Sequence, residues 1–403
     1  MIIITSACVI LCTSIAHLNY YYSSLSYFQK IGSKADDVNI HDPYCQAVSK
    51  IDEPEKYLEF IKNDIYGQIR KQPAVDKIYD IVDVPFVEYN NNDNIDATFA
   101  NIDTYDVFNL PLADGCWFSS TEQTSEYPNA VVCGSAFVNV KVGSDIEILY
   151  SSYPSEKKPY KIHVIGKVAP PYHTITLGCT SYNDAMMVRN EIFFLNNELS
   201  YNIFGDAMMG SQICPPSAIV KYKDSATEED IEKCREFYNS FFDEFNLEYQ
   251  YKLYTPCEIL INDGLSEINY YIKTTVTKDL VFIGVASFMF IIMTVIMVKN
   301  KLREYYIYYF CGCSKKKTFL ISIAAILSIA VVAGIICSAY MMISSYMVAN
   351  GTAMYAASEY IFSGNCYVIM WAYLLLNVLI SCIIPFVILV RKKMTLITLY
   401  HQK

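Results

Sequence analysis

Four stretches of the chain are apolar and uncharged over roughly the length of a membrane helix. Residues 1–28 carry no charged side chain, and their densest part is 2–18. Residues 280–298, 318–350 and 366–390 repeat the pattern. About 20 apolar residues are needed to cross the hydrocarbon core, and in lipid a helix satisfies its own backbone. Four transmembrane helices are therefore predicted. Between the first and second the period changes. Leu58, Ile61, Ile65 and Ile69 fall at helical spacing behind Asp52-Glu53-Pro54, which reads as a helix start. Residues 77–89 read as one or two strands, and 96–169 as mostly β, including 130–133, 145–150 and 160–168. Residues 218–223 read as a strand, and Ser225-Ala226-Thr227-Glu228 has the form of a capping box. Ile231, Cys234, Tyr238 and Phe241 or Phe242 mark the apolar face of the helix behind it, and 247–254 alternate as a further strand. This is an α+β domain ending in a β-α-β unit.

One more periodic stretch follows. Ile261, Leu265, Ile268, Ile272 and Val276 step by four, three, four and four into the second span. Two readings stand: a stiff stalk continuous with the span, or a short helix packed on its own domain.

Charge gives the orientation. Residues 299–317 hold Lys299, Lys301, Arg303, Lys315, Lys316 and Lys317 against Glu304, and the tail holds Arg391, Lys392, Lys393 and Lys403 with no acid. Residues 351–365 have no Lys or Arg. Basic short loops stay in the cytoplasm, so both termini and the loop between spans two and three are expected inside, and the large domain outside. That domain, residues 19–279, has 21 basic against 39 acidic residues. The first span has a rival reading, since Ser14-Ile15-Ala16 resembles a signal-peptidase site, although no basic segment precedes it. A start-truncated sequence would account for the missing basic flank.

Composition agrees. The 403 residues are 53 % hydrophobic and 18 % charged, below the roughly 25 % charge of soluble domains. The net charge of −10 speaks against nucleic acid as a partner. No phosphate-binding loop, His-Glu-x-x-His, Gly-x-Ser-x-Gly or Cys-x-x-Cys is present, so neither catalysis nor a metal is expected of this chain. His41, His163 and His173 are far apart, and solvated or core positions are the simpler reading. Cys45, Cys116, Cys133, Cys179, Cys214, Cys234 and Cys257 lie in the outer domain, with Cys366 at the outer end of the fourth span. They pair in an oxidising exterior or stay reduced in an anaerobe. Cys311 and Cys313, one residue apart, read as small residues at a tight turn. No charge lies inside the spans; Asn377 and Pro385 mark packing or a kink.

Residues 299–319 are the most informative. The second span continues as a basic, aromatic helix suited to the membrane surface. Gly312 permits positive backbone angles, and Ser314 is placed to cap the next helix. The plain alternative is an ordinary positive-inside loop. Here the sequence resembles the FtsX-like permease family, including MacB-type transporter subunits. Its signature after the second span runs Arg-x-x-Glu-Ile-Gly, an apolar stretch, Gly-Ala-Ser/Thr and a basic pair. Arg303 and Glu304 match the start, Gly312 follows eight residues after Glu304, Ser314 takes the hydroxyl position, and Lys315, Lys316 and Lys317 are the basic residues. Tyr305-Tyr306 stand in place of Ile-Gly, and Cys313 in place of Ala. Gly115-Cys116-Trp117-Phe118, residues 130–134, Val142-Gly143-Ser144-Asp145 and residues 162–166 resemble outer-domain motifs of that family in order and spacing.

The resemblance implies a permease that binds no cofactor itself. ATP and Mg would sit on a separate cytoplasmic ATP-binding-cassette subunit, docked at Arg303, Glu304, Gly312, Ser314, Lys315 and Lys316. It implies a second permease chain, as homodimer or heterodimer, membrane lipid as the surroundings, and motion carried by the stalk residues Ile261, Leu265, Ile268, Ile272 and Val276. The expected layout is span 1–22, outer α+β domain 23–257 of MacB type, stalk 258–279, span 280–298, coupling loop 299–317, span 318–348, outer loop 349–365, span 366–390 and tail 391–403. The function expected is export of a peptide, drug or lipid-linked substrate. The alternative is an ATPase-coupled regulator or receptor that binds a peptide or wall enzyme and moves no substrate. A third reading, a membrane-anchored hydrolase or adhesin, lacks any catalytic motif.

Overall fold

The charge-free runs form helices. In the structure, a computed structural model, the described residues are 1–38, 65–108, 110–119, 126–152, 156–169, 173–175, 186–188, 190–197, 217–243, 254–349 and 361–387. The chain divides into one unit of residues 1–18, 269–345 and 362–403, and another of 19–268 and 346–361.

The first unit is helical. Among the described residues four helices are long and apolar enough to cross a membrane. They are α1 (Ile2–Ile31), the long helix Cys257–Asn300, a helix Lys315–Ala349 and a helix Gly364–Phe386. The long helix contains α5 (Cys257–Tyr271), a π-helical segment Ile272–Val276 and α6 (Thr277–Asn300). The face of α6 that is covered carries Ile283, Ala286, Phe290, Thr294 and Val298, a step of three and then of four. Ala7 of α1 packs on Ile283 and Ala286. Ser14 donates to the Asp279 carboxylate at 2.5 Å, and the Ser287 and Tyr373 hydroxyls meet at 2.8 Å. The opposite face of α6 leaves Phe288 and Met293 62 % exposed, beside exposed Leu280, Val281 and Val285.

The second unit is built on one large sheet. Its strands are β1 (Ala35–Val38), β2 (Val75–Tyr89), β3 (Asn92–Ala100), β4 (Leu112–Gly115), β5 (Asn129–Cys133), β6 (Asp145–Ser152) and β7 (Glu156–Val168). β8 (His173–Ile175) and β9 (Met186–Val188) form a separate pair; β10 (Asn190–Leu195), β11 (Ser217–Tyr222) and β12 (Tyr254–Pro256) complete the set. Among the described residues three α-helices join them: α2 (Ile65–Arg70), α3 (Ile102–Phe108) and α4 (Glu228–Asp243).

The sheet order is β12-β1-β11-β2-β3-β10-β5-β7-β4, and β6 pairs with both β2 and β7. The extra strand closes β2, β3, β10, β5, β7 and β6 into a barrel. β2 belongs to two parts at once. Its residues 75–81 pair with β11, whereas 81–89 pair with β3. β2 and β3 turn at Asn90 and Asn91, with φ of 51° and 63°, as a two-residue hairpin of mirror-image type requires. Inside the barrel Phe99 and Phe194, opposite each other on parallel β3 and β10, stack at 5.0 Å. A second core lies on the sheet, where Tyr27, Phe28 and Ile31 of α1 meet Cys257 and Leu260 of α5 against Ile81, Phe193 and Ile219.

The structure differs from expectation in several places. α1 runs on to Ile31, past the predicted span end at 22, because its last turns find this core to bury. The capping box lies two residues later than expected. Thr227 donates its N–H to Asp230 Oδ2 at 3.0 Å, and Asp230 N–H returns to Thr227 Oγ at 3.3 Å. Residues 223–226 are already used by a turn, with Ala226 N–H bonded to Lys223 O at 2.9 Å. Residues 77–89 lie within one strand, the first of the two readings given for them. Of the predicted β-α-β unit, β11 and α4 are present, while β12 overlaps the predicted second strand only at Tyr254; β1 pairs antiparallel with both β11 and β12 and lies between them. Leu58, Ile61 and most of the predicted strand 247–254 lie outside the described residues.

Candidate functional site

The segment between the second and third long helices is built from four local devices. Lys301, with φ −91° and ψ 3°, interrupts the helix for one residue after α6; the expected continuous helix is thus two. α7 (Leu302–Phe310) follows. Leu302 and Tyr305 are buried against Val298, with Tyr306 packed beside them. This fixes the rotation of α7. Arg303 and Glu304 consequently face outward, with Glu304 4.0 Å from Lys301. Ile307, Tyr308 and Phe310 are 52 %, 42 % and 53 % exposed, an apolar aromatic ridge.

α7 ends in a Schellman motif. Cys313 N–H donates to Tyr308 O at 2.9 Å and Gly312 N–H to Tyr309 O at 3.1 Å, and Gly312 has φ +94°. That is the left-handed position where glycine is favoured. Ser314 then caps α8 (Lys315–Ala349), taking Lys317 N–H at 3.3 Å. Lys315, Lys316 and Lys317 occupy the first turn of α8, where the helix dipole disfavours positive charge. Arg303, Glu304, Gly312, Ser314, Lys315 and Lys316 thus lie within one short helix–turn–helix.

The stalk residues are placed differently. In α5 the buried positions are Cys257, Leu260, Gly264 and Ile268, so Ile268 lies in the covered face while Leu265 is 41 % exposed and Ile261 half-buried. Ile272 and Val276 fall in the π segment, where Thr277 Oγ donates to Ile272 O at 3.0 Å across five residues. The wider π turn moves them off the α-helical phase. In the first unit His17 stacks on Tyr271 with ring centroids 4.1 Å apart.

A buried polar group in the second unit has no local sequence signal. The Asp36 carboxylate on β1 accepts Arg235 Nε and Nη2 of α4, both at 2.9 Å, and the Tyr222 hydroxyl of β11 at 2.7 Å. Tyr222 and Tyr238 hydroxyls meet at 2.8 Å, and the Arg235 guanidinium lies 4.8 Å from the Tyr254 ring centre of β12. The hydrogen bonds to Asp36 raise the Arg235 pKa, and burial raises those of Tyr222 and Tyr238. The network joins β1, which follows α1, to β12, which precedes α5.

His163 pairs with Asp145 at 2.6 Å; His41 lies outside the described residues. Among the described residues no three His, Cys, Asp or Glu side chains are grouped to hold a metal ion. Cys116, Cys133, Cys234, Cys257, Cys311, Cys313 and Cys366 are thiols, and Cys45, Cys179 and Cys214 lie outside the described residues.

No family model matches the sequence, and no curated protein does. Among solved structures, the extracellular domain of the noncanonic ABC-type transporter YknZ from Gram-positive bacteria is similar at 13 % identity, with a TM-score of 0.30. That likeness covers 49 % of this chain and 86 % of the other. The periplasmic region of MacB from Actinobacillus actinomycetemcomitans is similar at 12 % identity over 59 % of this chain and 95 % of that one, with a TM-score of 0.35. At these scores neither likeness assigns a role to any residue.

Proposed function

We propose that this chain is the permease subunit of an ABC transporter of the mechanotransmission type, spanning the membrane four times with its α+β unit outside. A cytoplasmic ATPase docks on α7 and the Gly312 turn, and the long helix Cys257–Asn300 carries its motion outward to move a peptide, drug or lipid-linked substrate. The observation that carries this reading is α7, a short helix fixed by Leu302 and Tyr305 with an exposed ridge of Ile307, Tyr308 and Phe310. A loop needed only for topology has no reason to present such a ridge in a rigid frame.

Exposure of the long helices supports the membrane part. Leaving one large apolar side chain in water forgoes about 1.5–3 kcal/mol of burial. α6 alone exposes Leu280, Val281, Phe282, Val285, Phe288, Met289, Met293 and Ile296. Even at half that cost, the loss is roughly as large as the 5–15 kcal/mol that holds a whole domain folded. Lipid removes the penalty.

The test is purification of the full chain from its native membranes in mild detergent, with bound proteins identified by mass spectrometry. An ATP-binding-cassette ATPase accompanies the parent and falls at least tenfold with the Ile307→Asp, Phe310→Asp variant, whose changes lie on exposed positions. Recovery of no such ATPase with the parent overturns the reading. The regulator alternative keeps the ATPase and differs only in showing no substrate movement in reconstituted vesicles.

A further inference from the structure

The long helix changes phase in mid-course. Between Tyr271 and Asp279 it runs through the π segment Ile272–Val276, and residues on either side of that segment meet α1. His17 stacks on Tyr271 with ring centroids 4.1 Å apart, and Ser14 donates to the Asp279 carboxylate at 2.5 Å. Positions three apart on a helix are neighbours on one face, so Tyr271 and Asp279 must share a face too. Eight residues of regular α-helix would turn them about 80° apart. A π turn closes over five residues where an α turn closes over four. The eight residues therefore turn as seven would, and the two side chains come within about 20° of alignment.

The segment has different neighbours on its two sides. α6, which follows it, is held: Ala7 packs on Ile283 and Ala286, and the Ser287 hydroxyl meets that of Tyr373 on α9 (Gly364–Phe386) at 2.8 Å. α5, which precedes it, buries Cys257, Leu260, Gly264 and Ile268, with Ile261 half-buried and Leu265 41 % exposed. The chain thus carries a second apolar row, Ile261, Leu265, Ile268, Ile272 and Val276. That row continues into Ile283, Ala286 and Phe290 at helical spacing only if the helix is α throughout.

We propose that Ile272–Val276 is a joint with two registers: the observed π turn, and a regular α-helix in which each residue of α5 takes the place of the one before it. With α6 fixed, straightening the turn rotates α5 about its own axis by one residue, about 100°. Ile272 then takes the place of Tyr271 beside His17, Ile261 that of Leu260 and Leu265 that of Gly264. Asn269 and Glu258 replace Ile268 and Cys257, so this register buries less apolar surface and is the minor one. Only hydrogen bonds change. Ile272 O accepts the Thr277 N–H and hydroxyl across five residues in the π turn and passes to the Val276 N–H in the α-helix. The His17–Tyr271 stack favours the π register, and its loss frees the joint. A role for the joint in passing motion along the long helix rests on the proposed permease reading; the two registers do not.

The test uses membranes containing the full chain with His17→Cys and one of Tyr271→Cys, Ile272→Cys or Lys273→Cys. A short bifunctional methanethiosulfonate is added, the chain is digested, and linked residues are located by mass spectrometry. His17→Cys removes the stack, so both registers are populated. Positions 271 and 272 are each joined to position 17, and position 273 is not. Deleting Thr274 removes the extra residue and leaves a regular helix in the phase of the π register. It retains the Tyr271→Cys product and lowers the Ile272→Cys product at least tenfold. No Ile272→Cys product in the undeleted chain overturns the proposal. So does an equal product after the deletion, or Lys273→Cys joined as readily as Ile272→Cys, the mark of a frayed helix. If the deleted chain loses the Tyr271→Cys product it has not folded as required, and the comparison of positions 272 and 273 in the undeleted chain decides.

Discussion

The Asp36 carboxylate, with side-chain exposure of 1 %, faces the Arg235 guanidinium at 14 %. Breaking a buried pair of this kind costs about 3–5 kcal/mol, since the remaining charge is left buried alone. Asp36→Asn and Arg235→Leu should each lower the thermal midpoint of the full chain markedly. The double variant Asp36→Leu, Arg235→Leu should recover part of the loss, and a strictly additive loss would argue against the pair. Burial holds Tyr222 and Tyr238 protonated above the usual phenol range. Their contribution is therefore complete below about pH 10, the unfolded value, and declines as pH rises beyond it, because the unfolded chain then releases the protons. Tyr222→Phe should flatten the fall in stability measured between about pH 9 and about pH 11. Glycines differ by surroundings. Gly312 has φ +94° and open space where a Cβ would stand, so Gly312→Ala costs only about 1–2 kcal/mol of backbone strain. Gly115, at φ +81°, lies against the Ile165 backbone carbonyl, and Gly115→Ala adds a collision to the same strain. Its thermal midpoint should fall further than that of Gly312→Ala.

Helices and strands were legible where their period ran long. The four apolar runs, α4 behind its acidic first turn, and the α7–Gly312–Ser314 sequence follow from spacing, a positive-φ glycine and a capping hydroxyl, all local signals. The rest depends on distant partners. β1 is Ala-Asp-Asp-Val, which no propensity reads as a strand; it is one because Arg235, 199 residues away, satisfies Asp36. Closure of the barrel by β6 on β2 and β7 has no trace in local pattern either. Residues 272–276 contain no Gly or Pro to announce a π segment. At this scale the crossing of α8 and α9 makes its own prediction. A Cβ at Gly334 would stand 2.5 Å from the Trp371 ring, so Gly334→Leu forces that ring aside, and overpacking of this kind costs about 1–3 kcal/mol. Trp371→Ala should restore much of the lost thermal midpoint, and no rescue would show that the helices do not meet there.

For the molecule as a whole, the proposed orientation puts exposed Cys116 and exposed Cys311 in different compartments. A membrane-impermeant maleimide added to intact cells should label Cys116 and leave Cys311 unlabelled until the cells are opened. Equal labelling of both in intact cells would reject the topology. The order of the strands also bears on how such a chain is made. β1 is the first strand synthesised, yet its two neighbours begin only at Ser217 and Tyr254. During that wait the nascent chain carries an unpartnered strand, the kind of edge that recruits neighbouring chains into aggregates. Charge within such a segment guards against that pairing. Asp36 and Asp37 place two carboxylates in that segment, and the strand has both neighbours only when β12 has been made.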